Sequence, residues 1–137
     1  MKLKLVACSG AFDILHAGHI KFLEEARSQG DKLIIFLNSD YSVKKLKGKN
    51  RPINNQINRK IVLKALSCVD EVFIFNEDDP TKLIELFKPD VYVNGEEYGK
   101  NCLEKKVVKT YKGKIYIVKK YQNLSSTRIL SKLLLIS

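Results

Sequence analysis

What the chain lacks narrows its function first. No Gly-x-Gly-x-x-Gly follows the first apolar run and no Gly-x-x-x-x-Gly-Lys-Ser/Thr occurs anywhere, so the fingerprints of dinucleotide-binding and P-loop proteins are missing. No Cys-x-x-Cys spacing is present either. The three cysteines, Cys8, Cys68 and Cys102, are odd in number and each lies in or beside an apolar pattern, which excludes a disulfide framework and predicts reduced, structural thiols. The longest apolar run, Leu33 to Leu37, is far too short to span a bilayer, and the N-terminus lacks the apolar stretch and cleavage site of a signal peptide. These absences predict a cytoplasmic protein with no membrane partner. Internal repeats and low-complexity linkers are absent as well, and histidine is scarce, with only His16 and His19 in the whole sequence.

What is present is an alternation of strand and helix signals. A length of 137 residues with 45% hydrophobic content predicts one domain over residues 1–137 with a proper core. β-prone segments fall at Lys2 to Cys8, Lys32 to Leu37, Glu71 to Phe75, Val91 to Val93 and Lys114 to Val118. Helical patterns fall between them: Gly18 to Gln29, ended by Gly30; Gln56 to Val69, with Ile57, Ile61, Ala65 and Cys68 on one face; and Leu83 to Phe87, with Asp79 as N-cap and Pro80 at the first helical position. A further helix is predicted at Leu103 to Tyr111, and a last one capped by Ser125 or Ser126. Tyr41 to Asn55, polar and carrying Gly48 and Pro52, reads as a loop. This order predicts a doubly wound (Rossmann-like) α/β domain whose five-stranded parallel sheet has the order 3-2-1-4-5. Ligands then bind where the chain reverses between strands 1 and 4, which brings the His16/His19 loop and the Gly95 to Tyr98 loop to one cleft.

The formal net charge of +10 suits a polyanionic partner, either nucleic acid or a small phosphorylated substrate. The stretch from Tyr41 to Val69 carries basic residues that include Lys44, Lys45, Lys47, Lys49, Arg51, Arg59 and Lys60 and no acidic residue. A solvated lysine-rich face accounts equally well for the individual lysines. A non-enzymatic nucleic-acid module would want aromatic residues interleaved with the basic ones, and these are missing. His16 and His19 bracket Gly18 at a strand-to-helix crossing. The spacing would also suit zinc, but a zinc site would have to recruit Asp13 or a distant cysteine. A packing or capping role is the default for one lone histidine. Two of them, at a helix start whose N–H groups point outward, make a better phosphate site than a core.

Gly10-Ala11-Phe12-Asp13-Ile14-Leu15-His16-Ala17-Gly18-His19 resembles the signature of the cytidylyltransferase-like nucleotidyltransferases, whose hallmark is His-x-Gly-His after the first strand. The similarity continues in order through Asn38-Ser39-Asp40, Lys44-Lys45-Leu46-Lys47-Gly48, Arg51-Pro52-Ile53, Arg59, Val69-Asp70-Glu71-Val72, Lys88-Pro89-Asp90-Val91 and Ser125-Ser126-Thr127. Within the superfamily the chain looks most like the adenylyltransferase half of the ADP-heptose synthases of lipopolysaccharide core assembly. Glycerol-3-phosphate cytidylyltransferase and archaeal FAD synthetase are also similar. Two stretches differ from these relatives: Lys120-Tyr121-Gln122-Asn123-Leu124-Ser125 stands where the glycerol type has Arg-Thr-Glu-Gly-Ile-Ser, and Gly95-Glu96-Glu97-Tyr98 where the heptose type has Gly-Gly-Asp-Tyr.

The resemblance implies attack of a phosphate monoester on the α-phosphorus of ATP or CTP, with release of pyrophosphate. It implies catalytic roles for His16, His19 and Lys44. Nucleotide contacts would come from Gly10, Ala11, Phe12, Asp13, Gly18, Gly95, Ser125, Ser126 and Thr127. Contacts to a phosphorylated sugar or polyol would come from Lys47, Arg59, Glu97 and Tyr98. Asp13 is expected to orient the histidine loop rather than act as a base. Mg²⁺ is expected on the triphosphate, with no dedicated protein metal site, and a homodimer is expected by analogy with the family.

Overall fold

β-branched and aliphatic residues cluster into five short runs, and these become the five strands of one parallel sheet: β1 (Leu5–Gly10), β2 (Lys32–Asn38), β3 (Glu71–Phe75), β4 (Val91–Gly95) and β5 (Lys114–Val118). The computed structural model describes residues 2–99, 102–121 and 125–136. The strand order is β3-β2-β1-β4-β5, as the alternation predicts. Each helix covers one sheet face by burying its apolar stripe. On one face Leu23 and Ala26 of α1 (Ala17–Arg27) and Leu63 of α3 (Gln56–Lys64) pack with Val6, Cys8, Leu33, Ile35 and Val93. On the other, Ile84 of α4 (Thr81–Phe87) and Val108 of α5 (Leu103–Thr110) pack with Ala7, Ile34, Phe36 and Tyr92. The odd-even division of strand residues between the two clusters follows from the period of two in a strand.

Carboxylates pin the amino-terminal edge of the sheet. Asp31 accepts from the Lys4 N–H (2.7 Å), Asp90 from Leu5 N–H (2.8 Å) and Asp70 from Leu33 N–H (2.8 Å). The opposite, carboxyl-terminal edge is thereby left as the one that ends in loops and helix N-termini.

Several boundaries differ from expectation, each for a local reason. The segment read as a loop from Tyr41 contains α2 (Asp40–Lys47), started by Ser39 Oγ accepting from Ser42 N–H (3.1 Å) and ended by Gly48 at φ 101. The α3 face predicted from Ile57 and Ile61 is the exposed one, with those residues 57% and 61% exposed, while Arg59 and Leu63 face the core. Apolar periodicity fails there because the core-facing position is occupied by a charged residue that the interior satisfies. Gly30 does not end α1, whose C-cap is Ser28. Its missing side chain is needed because a Cβ would lie 2.7 Å from Val6 and 2.8 Å from the Lys4 carbonyl. The α4 start slips by one residue: Pro80 takes the N-cap position and the Asp79 carboxylate accepts from Thr81 N–H (3.0 Å). The last helix, α6 (Ser126–Ile136), is capped by Ser125, whose Oγ accepts from Arg128 N–H (3.1 Å), as expected.

Candidate active site

A cleft of about 300 Å³ opens at the carboxyl-terminal edge of the sheet, over the switch point between β1 and β4. One wall is the end of β1 and the start of α1, with Ser9, Gly10, Ala11, Phe12, His16, Gly18 and His19. The other is the end of β4 with its 3₁₀ turn at Glu96–Tyr98, contributing Asn94, Gly95, Glu97 and Tyr98. Val118 to Tyr121 after β5, and Ser125, Ser126 and Thr127 at the start of α6, complete the lining. Ser126 Oγ donates to the Ile14 carbonyl (3.3 Å), which ties the N-terminus of α6 to the histidine loop. Two helix N-termini, α1 and α6, therefore open on the same cleft, and both favour anions.

The two histidines cap α1 reciprocally. His16 Nδ1 accepts from Gly18 N–H (3.0 Å) and His19 Nδ1 accepts from His16 N–H (3.3 Å). This is a capping box in which imidazoles do the work of Ser and Glu. A ring nitrogen that accepts carries no proton, so the hydrogen-bond network assigns both rings to the neutral tautomer with the proton on Nε2. Burial lowers the pKa of His16. It lowers that of His19 to about 4, helped by the neighbouring His16 and by the Lys47 charge. The rings stack with centroids 3.9 Å apart, and Phe12 lies 5.5 Å from His19. Phe12 sits at φ 46, in the left-handed region that costs a non-glycine residue about 1–3 kcal/mol, and its ring covers Gly10, where a Cβ would come within 2.9 Å.

Beneath this loop lies a charged clamp. The buried Asp13 carboxylate accepts from Ile53 N–H (2.7 Å), Asn54 N–H (2.9 Å) and Arg51 Nε (3.3 Å). Arg59, 1% exposed, donates to the carbonyls of Ala11 (2.8 Å), Asn38 (2.8 Å) and Asn54 (2.9 Å) and to Asp40 Oδ1 (2.9 Å). Asp13 and Arg59 thus lie under the cleft and do not line it. Arg59, expected to touch substrate, lies beneath the cleft rather than in its lining, bonded to three carbonyls and a carboxylate. Asp13 fixes the 51–54 segment against the histidine loop. Lys47 lines the cleft, with its pKa lowered by burial and by the charge of Arg51. Lys44, one helical turn earlier, is exposed and outside the lining, and Lys45 pairs instead with Asp78 (2.8 Å).

The cleft-lining side chains that sequence reasoning missed are Ser9, Phe22, Asn94, Val118, Lys119, Lys120 and Tyr121. Two of them had a signal: Asn94 interrupts the apolar run Val91-Tyr92-Val93, and Lys119 directly follows β5, where a parallel sheet presents its ligand edge. Gln122 to Leu124, part of the stretch that differs from the glycerol-3-phosphate type, lie outside the described residues. No helix among the described residues is long and apolar enough to cross a membrane.

Comparison with known proteins agrees with this geometry. The bifunctional protein HldE of Geobacter metallireducens is 45% identical over 132 residues, which is 96% of this chain and 27% of that protein. HldE of Aliarcobacter butzleri is 54% identical over 118 residues, 81% of this chain and 25% of that protein. The chain therefore spans about a quarter of the length of these curated relatives. Among solved structures, the lipopolysaccharide core biosynthesis protein of Thermoplasma volcanium matches with a TM-score of 0.71 at 30% identity, covering 88% of this chain and all (100%) of that one. A pantothenate synthetase of Thermus thermophilus, at 14% identity and a TM-score of 0.65, shares the fold over 93% of this chain and 61% of its own. The cytidylyltransferase-like family matches residues 7–132, and with the paired histidines at the head of α1 this chain belongs to that family of nucleotidyltransferases.

Proposed function

We propose that this chain transfers a nucleoside monophosphate from ATP to a sugar phosphate of the heptose 1-phosphate type, releasing pyrophosphate, in the supply of lipopolysaccharide precursors. The reading rests on the names of its relatives, HldE and a lipopolysaccharide core biosynthesis protein, and on one feature of the site. That feature is the reciprocal histidine cap, which leaves two Nε2–H donors beside two helix N-termini.

The chemistry asks little else of the protein. A phosphate monoester has a second pKa of about 6 and is already largely a dianion at neutral pH, so no general base is required. Its oxygen forms a bond to the α-phosphorus, the bond from that phosphorus to the bridging oxygen breaks, and pyrophosphate leaves with the electron pair. The barrier lies in bringing two polyanions together and in holding charge on the α-phosphoryl oxygens. His16 and His19 meet that charge as neutral donors whose direction is set by the backbone. Gly18 N–H is spent on His16, so the remaining first-turn N–H groups of α1 add the helix-end field. Ser126 and Thr127 offer a second phosphate turn at α6, and Lys47 supplies a cation from the β2 side. On this reading Gly95 meets the nucleotide, and Glu97 and Tyr98 face the sugar.

Magnesium is proposed to arrive on the triphosphate. Among the described residues no three His, Cys, Asp or Glu side chains converge, and Glu97 is the carboxylate in the cleft lining, a donor set that suits a metal held mainly by phosphates. When bound it neutralises part of the triphosphate charge. A cytoplasmic location goes with three free cysteines, and a homodimer is proposed by family analogy, to be checked by sedimentation.

The test is a pyrophosphate-release screen crossing ATP, CTP, GTP and UTP with heptose 1-phosphate, glycerol 3-phosphate and FMN. Release with ATP and heptose 1-phosphate is expected. Release confined to CTP and glycerol 3-phosphate would replace the sugar reading with the polyol one.

A further inference from the structure

We propose that Asn94 is a specificity-determining residue of this cleft, whose side-chain amide donates a hydrogen bond to an uncharged sugar oxygen of a substrate. The inference rests on the transferase reading above and adds a residue which that reading does not use.

Asn94 is only 6% exposed, lines the cleft, and its Nδ2 has no hydrogen-bond partner among the described residues. A buried amide left unpaired costs about 1–3 kcal/mol, and of the three side chains with an unpaired buried polar atom among the described residues, those of Arg51, Asn94 and Tyr111, Asn94 is the one in the cleft lining, where a ligand can complete it. The position excludes a structural explanation of the usual kind. Asn94 lies in β4 beside β5, paired in register with Ile117, and its backbone serves the sheet while its side chain is left over.

The surroundings say what kind of atom it meets. Ala7 of β1 pairs with Tyr92 of β4, so Ser9 and Asn94, two residues further along each strand, emerge on the same face. There Ser9 Oγ and Tyr92 Oη share a hydrogen bond of 2.6 Å. Burial pushes the Tyr92 phenol well above its ordinary value, so it stays neutral. One of those two hydroxyls uses its proton on the other, and the second proton remains for a partner. The floor of the cleft therefore presents neutral polar groups, the Asn94 side chain and the Ser9 hydroxyl, with the buried Tyr92 hydroxyl behind Ser9. Phosphate groups are served elsewhere, by the α1 and α6 N-termini and by Lys47. What fits the floor is the uncharged, oxygen-rich part of a ligand, a sugar hydroxyl or ring oxygen. Two substrates of the reaction carry one, the ribose of the nucleotide and the acceptor sugar.

Asn94→Leu removes the donor at similar volume, and Asn94→Asp keeps the shape while replacing the donor with an acceptor. Isothermal titration of ATP with Mg²⁺ and, separately, of heptose 1-phosphate gives the affinities, and thermal unfolding without ligand gives the stability. Asn94→Leu should leave the ligand-free melting temperature unchanged or raise it, because the wild-type amide nitrogen has no partner to lose among the described residues. Both variants should weaken one probe about five- to tenfold, the worth of a neutral hydrogen bond. Loss confined to ATP identifies the ribose, and loss confined to heptose 1-phosphate identifies the acceptor. Unchanged affinity for both probes, or a sharp drop in the ligand-free melting temperature of Asn94→Leu, overturns the proposal. Pyrophosphate release by the wild-type protein is measured alongside. If it is normal while the Asn94 variants bind like wild type, the Asn94 inference alone fails. If wild type binds a probe but never turns over, the transferase reading fails and the affinities still decide the role of Asn94. A wild-type protein that binds neither probe overturns both.

Discussion

The two walls of the cleft are finished to different degrees. On the β1–α1 side the histidine rings cap the helix that carries them, Asp13 holds the 51–54 segment, and Arg59 staples Ala11, Asn38 and Asn54 together from below. On the β4–β5 side the Asn94 amide nitrogen has no partner among the described residues, and Glu97 and Tyr98 are exposed on a single 3₁₀ turn that ends at Gly99 with φ 68. The first wall is built before any ligand arrives, which is what stabilising a transition state demands, since donors that must reorganise lose their advantage. The second is left for a ligand to complete. On the proposed reading, the reaction type is set by the first wall and substrate choice falls to the second.

The comparison breaks hardest at Arg59. Arg59→Ala strands a carboxylate and three carbonyls under the histidine loop and should cost about 3–5 kcal/mol in denaturant unfolding. Arg59→Lys should recover little of it, because an ammonium cannot reach three separated carbonyls and Asp40 in a planar fork. A loss below about 1 kcal/mol would show that the clamp is not what holds the first wall.

His16 separates the wall's stability from its chemistry. Asn in its place still offers a capping oxygen, whereas Ala does not. Turnover should fall about 10²–10³-fold in both variants, the usual worth of one fixed transition-state donor. Stability should fall by about 1 kcal/mol in His16→Ala alone. Equal turnover in His16→Asn and wild type would sink the Nε2 assignment.

Acid should loosen the same wall by a smaller amount. The folded protein holds His19 at about 4 against an ordinary 6.5, so the unfolded chain takes up the proton first. Stability contributed by the neutral ring is complete above pH 6.5 and is lost as the pH falls from there towards 4. The loss is no more than about 3 kcal/mol, reduced by screening because the ring is partly exposed. Melting temperatures measured across that window should fall in the wild type and fall less in His19→Gln.

The smallest effect belongs to the open wall. At Gly95 a Cβ would lie 2.6 Å from a Glu97 carboxylate oxygen, the far end of a flexible side chain that can move aside. Gly95→Ala should leave the melting temperature within about 2 °C, on the order of a few tenths of a kcal/mol. It should raise the KM for the sugar phosphate several-fold with kcat less affected. A change in kcat alone would place Glu97 with the reacting groups and blur the division between the walls.

Most of the architecture was legible in the residues because periodicity and punctuation are local. β3 and β5 fall where their runs predict them, the strand order follows from the alternation, and the Ser125 cap sits where its hydroxyl is wanted. The failures occur where a distant partner overrules a local pattern. Ile57 and Ile61 set a helical stripe that faces outward, because Arg59 on the opposite side finds three carbonyls and a carboxylate from other parts of the chain. The polar segment after Tyr41 hid α2, whose Ser39 cap and Gly48 stop were both present but outweighed by lysines and by Pro52.

By itself, then, the sequence determined the strand and helix alternation, the pairing of His16 and His19 at the head of α1 and the family to which that turn belongs. Those properties depend on residues close along the chain, whose spacing fixes their geometry. Only the tertiary structure decided which ring nitrogen of each histidine is free, that Arg59 lies beneath the cleft, and that the Asn94 amide nitrogen in its floor has no partner among the described residues. The histidine bonds are local, two and three residues apart, but exist only once the head of α1 has closed on itself; Arg59 joins segments tens of residues apart, and a hydrogen bond, made or missing, exists only once the folded chain has brought its partners together.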